Sequence, residues 1–306
     1  MTLRRIARLV GLLVSLVAIA WIVTRFARGG ALELLARTPL APAVLVACVV
    51  AAAVAYALAM SLPALAWWRI LTGLAPTPPP ALPTLGTYAV SQFGKYLPGN
   101  VAHYALRHIW SRRYAIPHAS LALASVFEAA LLVLGALVVA VGAGVRPAVV
   151  AQLVDPRVAV AGVALALVAV VIGMQVIRRL GWFERMHVPT PAPGMMLAAL
   201  ACYVAFFLAC AALVTGLAAM LGYPSVSFAL IAAASAASWL AGFVVVGAPA
   251  GLGVREAAFV ALAGPALGDD RALLLIGFFR IVTFFGDTLF LAAGAAVLRR
   301  HRNPPP

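Results

Sequence analysis

The residues best suited to chemistry cluster around Lys95-Tyr96-Leu97-Pro98-Gly99-Asn100, with His103 and Arg107 following on one helical face. Pro98 cannot continue a helix, Gly99 allows a sharp reversal, and Asn100 is a good N-cap for a helix restarting after it. Such a start presents unpaired N–H groups and a positive dipole end. With the cations of Lys95 and Arg107 beside it, this is chemistry for holding an anion, phosphate included. A second break, Gly247-Ala248-Pro249-Ala250-Gly251-Leu252-Gly253, repeats the arrangement and leads into Val254-Arg255-Glu256. Pro249, Gly251 and Gly253 free the backbone there, and Arg255 and Glu256 put both signs of charge in the first turn of the helix that follows.

Three further ionisable residues lie inside long apolar runs: Glu128, Arg280 and Asp287. A charge near mid-bilayer costs at least about 2.5 kcal/mol on lenient insertion scales, so each should be paired, protonated or turned toward the protein interior. Arg280 and Asp287 share a face but sit two turns apart, so each needs a partner on another helix. Glu128 or Glu256 is expected for Arg280, and Arg255 or Lys95 for Asp287. Left unpaired, Arg280 could give two bonds to one phosphate. Glu128, Glu256 and Asp287 are therefore candidates for proton coupling or ion pairing, and His103 and His108 are the side chains expected to titrate near neutrality.

Searches for catalysis find nothing. There is no P-loop, no HExxH, no Ser/His/Asp pattern and no paired aspartates with metal spacing. Cys48, Cys202 and Cys210 lie in apolar runs without ligand spacing. No catalytic residue, metal site or cofactor is expected.

The elements that must position these residues are membrane helices. Of 306 residues, 65% are hydrophobic and 10% charged, against roughly 25% charged in soluble domains. A hydrocarbon core of about 30 Å needs about 20 apolar residues per helix. Leu9–Thr24, Leu40–Leu62, Ala119–Val141, Val158–Ile177, Met195–Leu221, Val226–Val246 and Ala272–Leu298 qualify or nearly do. Ala18-Ile19-Ala20 imitates a signal cleavage site, but the spans that follow favour an uncleaved first helix. Trp67-Trp68-Arg69 reads as an interface anchor. The net charge of +14 is scattered at span ends, which points to anionic lipid headgroups rather than nucleic acid.

Arg4, Arg5 and Arg8 at one end and Arg299, Arg300 and Arg302 at the other place both termini in the cytoplasm, which demands an even number of crossings. A re-entrant first break and a crossing second break keep Arg107, Arg112, Arg113, Arg178, Arg179 and Arg185 inside. The expectation is thus an all-α, polytopic helix bundle with eight crossings and broken half-helices. It forms one transmembrane domain over 1–306. Two interrupted segments in two halves, 1–156 and 157–298, match the pattern of inverted-repeat transporters.

Ser91-Gln92-Phe93-Gly94-Lys95-Tyr96-Leu97-Pro98-Gly99-Asn100-Val101, with His103-Tyr104 and Arg107, resembles a signature of the lysylphosphatidylglycerol synthase transmembrane-domain family. Gly251-Leu252-Gly253-Val254-Arg255-Glu256-Ala257-Ala258 resembles that family's second signature, and Glu128 and Arg280 fall where its intramembrane acid and arginine are expected. The resemblance covers nearly the whole chain and implies a lipid-flipping membrane module. The sequence stops at Pro306, so a stand-alone member without the cytoplasmic aminoacyl-transfer domain is expected.

The function expected is ATP-independent transport of a phospholipid or another lipid with an anionic or aminoacylated headgroup. Lys95, Asn100, His103, Arg107, Arg255 and Arg280 would hold that headgroup. The alternatives are a polyprenyl-phosphate-dependent lipid transferase and a non-transporting subunit of a lipid-modifying enzyme. The expected partners are a membrane phospholipid and a second copy of the chain, and the expected home is a bacterial inner membrane.

Overall fold

The computed structural model describes residues 40–96, 102–143, 181–223, 225–245 and 249–301, with Ala20, Thr24, Thr38, Ile172, Gln175 and Arg179. The expected spans Leu9–Thr24 and Val158–Ile177 fall outside the described residues but for isolated positions, as do Pro98, Gly99 and Asn100. All regular structure among the described residues is helical. It comprises α1 (Pro42–Ala59), α2 (Ser61–Leu74), α3 (Ala81–Gln92), α4 (Ala102–Ser111), α5 (His118–Gly142), α6 (Trp182–Arg185), α7 (Pro193–Met220), α8 (Phe228–Val244), α9 (Val254–Leu267) and α10 (Asp269–Arg300). Short 3₁₀ turns occupy Phe93–Tyr96, Arg112–Tyr114 and Pro249–Gly251.

Among the described residues, four stretches are long and apolar enough to cross a membrane: Pro42–Leu74 (33 residues), His118–Gly142 (25), Pro193–Met220 (28) and Asp269–Arg300 (32). The first unites α1 and α2, which are separated only at Met60. Pro63 explains that interruption, because its ring crowds the carbonyl four residues earlier. The expected span Val226–Val246 forms α8, a shorter apolar helix of 17 residues. On α1, Val46, Val50, Val54 and Leu58 are exposed at a spacing of four, while Ala53, Tyr56 and Ala59 face inward. Ile281, Phe284, Phe285 and Leu289 expose a similar face of α10. Water would penalise such apolar faces and hydrocarbon would not, so the apolar helices point to a membrane protein.

α10 packs along α1 and α3, α7 along α2 and α5, and α8 and α9 close the arrangement between α5, α7 and α10. Asp269 and Asp270 open α10 and Arg299 and Arg300 close it, each sign at the dipole end it favours. Glycines set the closest crossings. A Cβ on Gly294 would fall 2.5 Å from the Ala89 Cβ and 2.9 Å from the Gly86 carbonyl oxygen. One on Gly286 would fall 2.6 Å from Tyr56 Cδ1 and 2.8 Å from the Ala53 carbonyl oxygen. Small residues that admit close backbones are the main packing device where lipid removes the hydrophobic drive.

The Trp67 side chain departs from the interface role expected of it. It is 1% exposed and lies in the core against Tyr88, with ring centroids 5.9 Å apart. Its neighbours behave as the sequence implies: Arg69 is exposed and lies over the Trp68 ring, whose Nε1 donates to the Pro79 carbonyl at 3.1 Å.

Replacing Gly286 or Gly294 by valine should lower stability by about 1–3 kcal/mol, since neither crossing has room for a branched side chain. Thermal unfolding in detergent, followed by size-exclusion fluorescence, measures this.

Candidate functional site

The residues around the first break form a helical hairpin. α3 and the 3₁₀ turn Phe93–Tyr96 form one arm, and α4 packs beside them as the other. Gly94 lets the two arms touch, since a Cβ there would lie 2.7 Å from the His103 backbone nitrogen. Arg107, on the returning arm, donates from Nε to Ser91 Oγ at 3.2 Å, back across to the first arm. The second break has its own geometry. Ala250, Gly251 and Gly253 take positive φ values of 50°, 70° and 83°, and α9 begins directly afterward. The turns Phe93–Tyr96 and Pro249–Gly251 contact each other within one bundle.

An open-mouthed cavity of about 1140 Å³, mouth included, lies beside them. Its wall draws on almost every helix and includes Lys95, His103, Glu128, Arg255, Arg280 and Asp287. The charges on it and just behind it are arranged in pairs. Lys95 Nζ lies 2.8 and 2.7 Å from the two Asp287 oxygens, and the Tyr96 hydroxyl donates to Oδ2 at 2.6 Å. Arg280 Nε is bonded to Glu256 Oε1, and Arg280 Nη2 donates to the Ala250 carbonyl at 3.1 Å. Arg107 Nη1 is bonded to Glu128 Oε2, and both side chains are 1% exposed. The Arg107 guanidinium also lies 3.9 Å from the Tyr88 ring centre and 4.9 Å from that of Trp67. Of the partners considered from sequence, Glu256 takes Arg280 and Lys95 takes Asp287, whereas Glu128 takes Arg107.

Arg255 differs from these. Its guanidinium lies 5.6 Å from the Trp239 ring centre, and it makes no salt bridge among the described residues. His103 is buried against Tyr104, and its Nδ1 has no partner among them. The structure therefore brings Lys95, His103, Arg255, Arg280, Glu128 and Asp287 to one cavity. Arg107 and Glu256 stand directly behind as partners of wall residues. From the second break the wall takes Ala250 and Arg255, so that break supplies a guanidinium to the cavity.

Sequence reasoning did not single out Tyr96, Tyr88, Ser91 or Trp239. For Ser91 a signal existed: Ser91 and Arg107 lie symmetrically about Gly99, as residues facing each other across a hairpin must. Trp239 gave none, because nothing along the chain links it to Arg255.

Outside the cavity, the corner between α4 and α5 carries a second feature. His108 Nε2 and His118 Nδ1 are 2.7 Å apart with the rings stacked, and Arg112 Nη1 donates to the Ile116 carbonyl at 2.6 Å. The His108 pKa is lowered from 6.5 by partial burial first, then by His118 and Arg112.

No protein-family model matches the chain, and no curated protein matches it.

Breaking one partner of a buried pair leaves an uncompensated charge and costs about 3–5 kcal/mol, whereas exchanging both for apolar residues is often neutral. Arg107→Met and Glu128→Met should therefore each collapse the yield of folded protein, and the double variant should recover it, as read by size exclusion. The His108–His118 contact requires a neutral imidazole, and the opened corner takes up the proton at a higher pH than the closed one. Its stability is fully present above 6.5 and falls as pH drops below that value. Hydrogen exchange of residues 102–116 should accelerate on acidification in the wild type and lose that dependence in His108→Gln.

Proposed function

We propose that this chain is an ATP-independent membrane lipid carrier, a flippase, that binds an anionic or aminoacylated headgroup in the cavity while the acyl chains stay in the bilayer. The observation that carries the reading is the meeting of two interrupted segments, 93–96 and 249–251, beside an open cavity bordered by Lys95, Arg255 and Arg280. Non-helical backbone at membrane depth is tolerated only where protein buries it or where it lines a wet cavity. The cavity wall beside Lys95, Tyr96 and Ala250 offers such a setting to both turns. Apolar outer faces on α1 and α10 suit the bundle to lipid, and the absence of a P-loop leaves the lipid gradient or protons as the driving force.

The finer membrane arrangement belongs to the same proposal. It has eight crossings, a re-entrant hairpin at 83–113, inverted-repeat halves, cytoplasmic termini and a bacterial inner membrane. The sequence resemblance to the lysylphosphatidylglycerol synthase transmembrane-domain family supports it. Arg107 and Glu128 act here as the brace of the hairpin, and direct headgroup contact falls to Lys95, Arg255 and Arg280. A lipid transferase finds less support, because Glu128, Glu256 and Asp287, though close to one cavity, are each bonded to a cation.

The test is headgroup-labelled phosphatidylglycerol in proteoliposomes, with leaflet exchange read by quenching from outside. Lys95→Ala and Arg280→Ala should lower the exchange rate about tenfold or more. The charge-balanced Lys95→Ala/Asp287→Asn variant should fold like the wild type yet remain slow. Wild-type exchange in that double variant would refute the assignment of Lys95.

A further inference from the structure

Among the described residues, the charges at the cavity do not cancel. Lys95, Arg107, Arg255 and Arg280 stand against Asp287, Glu128 and Glu256, and three of the four cations are paired. His103 adds little at pH 7.5, where an imidazole with the usual pKa of about 6.5 is mostly neutral. Arg255 is the remainder.

Its position is built rather than incidental. The Arg255 stem runs between two glycines, Gly242 of α8 and Gly251 of the second break. A Cβ on Gly242 would collide with Arg255 Cγ, and one on Gly251 would fall 2.6 Å from Nε. Nε has no acceptor among the described residues, and neither does the hydroxyl of Ser235, which also lines the cavity. One cation is thus held in place on an apolar, aromatic wall with hydrogen-bonding capacity unspent.

An occupant carrying one negative charge neutralises this surplus. An occupant carrying two leaves a charge over, or must pull apart one of the pairs, and the interior dielectric makes either costly. Resting on the carrier reading above, we infer that the cavity selects by charge number. It takes a headgroup with a single net negative charge, a phosphodiester, in preference to a phosphomonoester, and Arg255 is the residue that sets the rule. A phosphomonoester has a second pKa near 6 and is close to doubly charged at pH 7.5.

The test uses the full chain in neutral detergent at pH 7.5, titrated with dioctanoyl phosphatidylglycerol or dioctanoyl phosphatidate. Binding is read from tryptophan fluorescence, to which Trp239 beside Arg255 contributes. The diester lipid should bind at least about tenfold tighter, since one unit charge at about 4 Å and an effective dielectric constant of about 20 can change affinity by up to about a thousandfold. Arg255→Gln removes the surplus, so phosphatidylglycerol should bind at least about tenfold more weakly. Asp287→Asn, which removes one carboxylate and keeps acceptors for Lys95 and Tyr96, should move the preference toward phosphatidate. Equal affinity for the two lipids in the wild type overturns the charge rule, and so does a folded Asp287→Asn protein with an unchanged ratio. Should Asp287→Asn not fold, Arg255→Gln decides alone, and an unchanged affinity for phosphatidylglycerol there overturns the rule. Soluble glycerophosphoglycerol, tested as competitor, separates the sources. If it competes as well as the lipid, the diester rule stands and the lipid carrier reading falls. Binding of neither lipid overturns both.

Discussion

Charge in a medium that cannot solvate it is the constraint on which this structure depends. Of the six acidic residues among those described, Glu128, Glu256 and Asp287 are buried, and each is bonded to a cation from another segment. Each pair spans a boundary that apolar packing would leave loose. Arg107–Glu128 ties the returning arm of the hairpin to α5, Lys95–Asp287 ties its first arm to α10, and Arg280–Glu256 ties α9 to α10. The breaks need these ties, since interrupted helices lack the continuous backbone ladder that holds a plain span together. The same ties govern chemistry, because a cation held by a carboxylate is a weaker anion ligand than one that is not. That contrast separates Arg255 from its neighbours.

α10 is where the ties converge. Arg280 and Asp287, opposite in sign and two turns apart, each engage one break. The glycines on the same helix let α1 and α3 approach closely enough for those side chains to reach. Geometry and charge thus reinforce each other: without the close crossings at Gly286 and Gly294, α10 would stand farther from the hairpin, and Lys95 could not span the gap to Asp287.

Much of this was legible in the sequence. Hydropathy marks α1, α5, α7 and α10 within a few residues, because unbroken apolar runs of that length have few other uses. The glycine-rich stretch before Arg255 marks the second break, where Ala250, Gly251 and Gly253 take positive φ, while Pro98 and Gly99 lie outside the described residues. The need for partners was readable from Glu128, Arg280 and Asp287 lying in apolar runs. Which partner each takes was not, for pairing depends on how helices distant in sequence are rotated against one another. Trp67 shows the same limit. A tryptophan beside an arginine at a span end fits an interface anchor equally well, and only the placement of Tyr88 and Arg107 against its ring puts it in the core.

The interlocked glycines of α10 also bear on how the molecule can move. With the Gly294 backbone against Ala89 and Gly86, and the Gly286 backbone against Tyr56 and Ala53, α1, α3 and α10 have no slack to slide past one another. They behave as one rigid plate. Any rearrangement of the bundle would carry these three helices together and fall on the seams they share with α7 and α9.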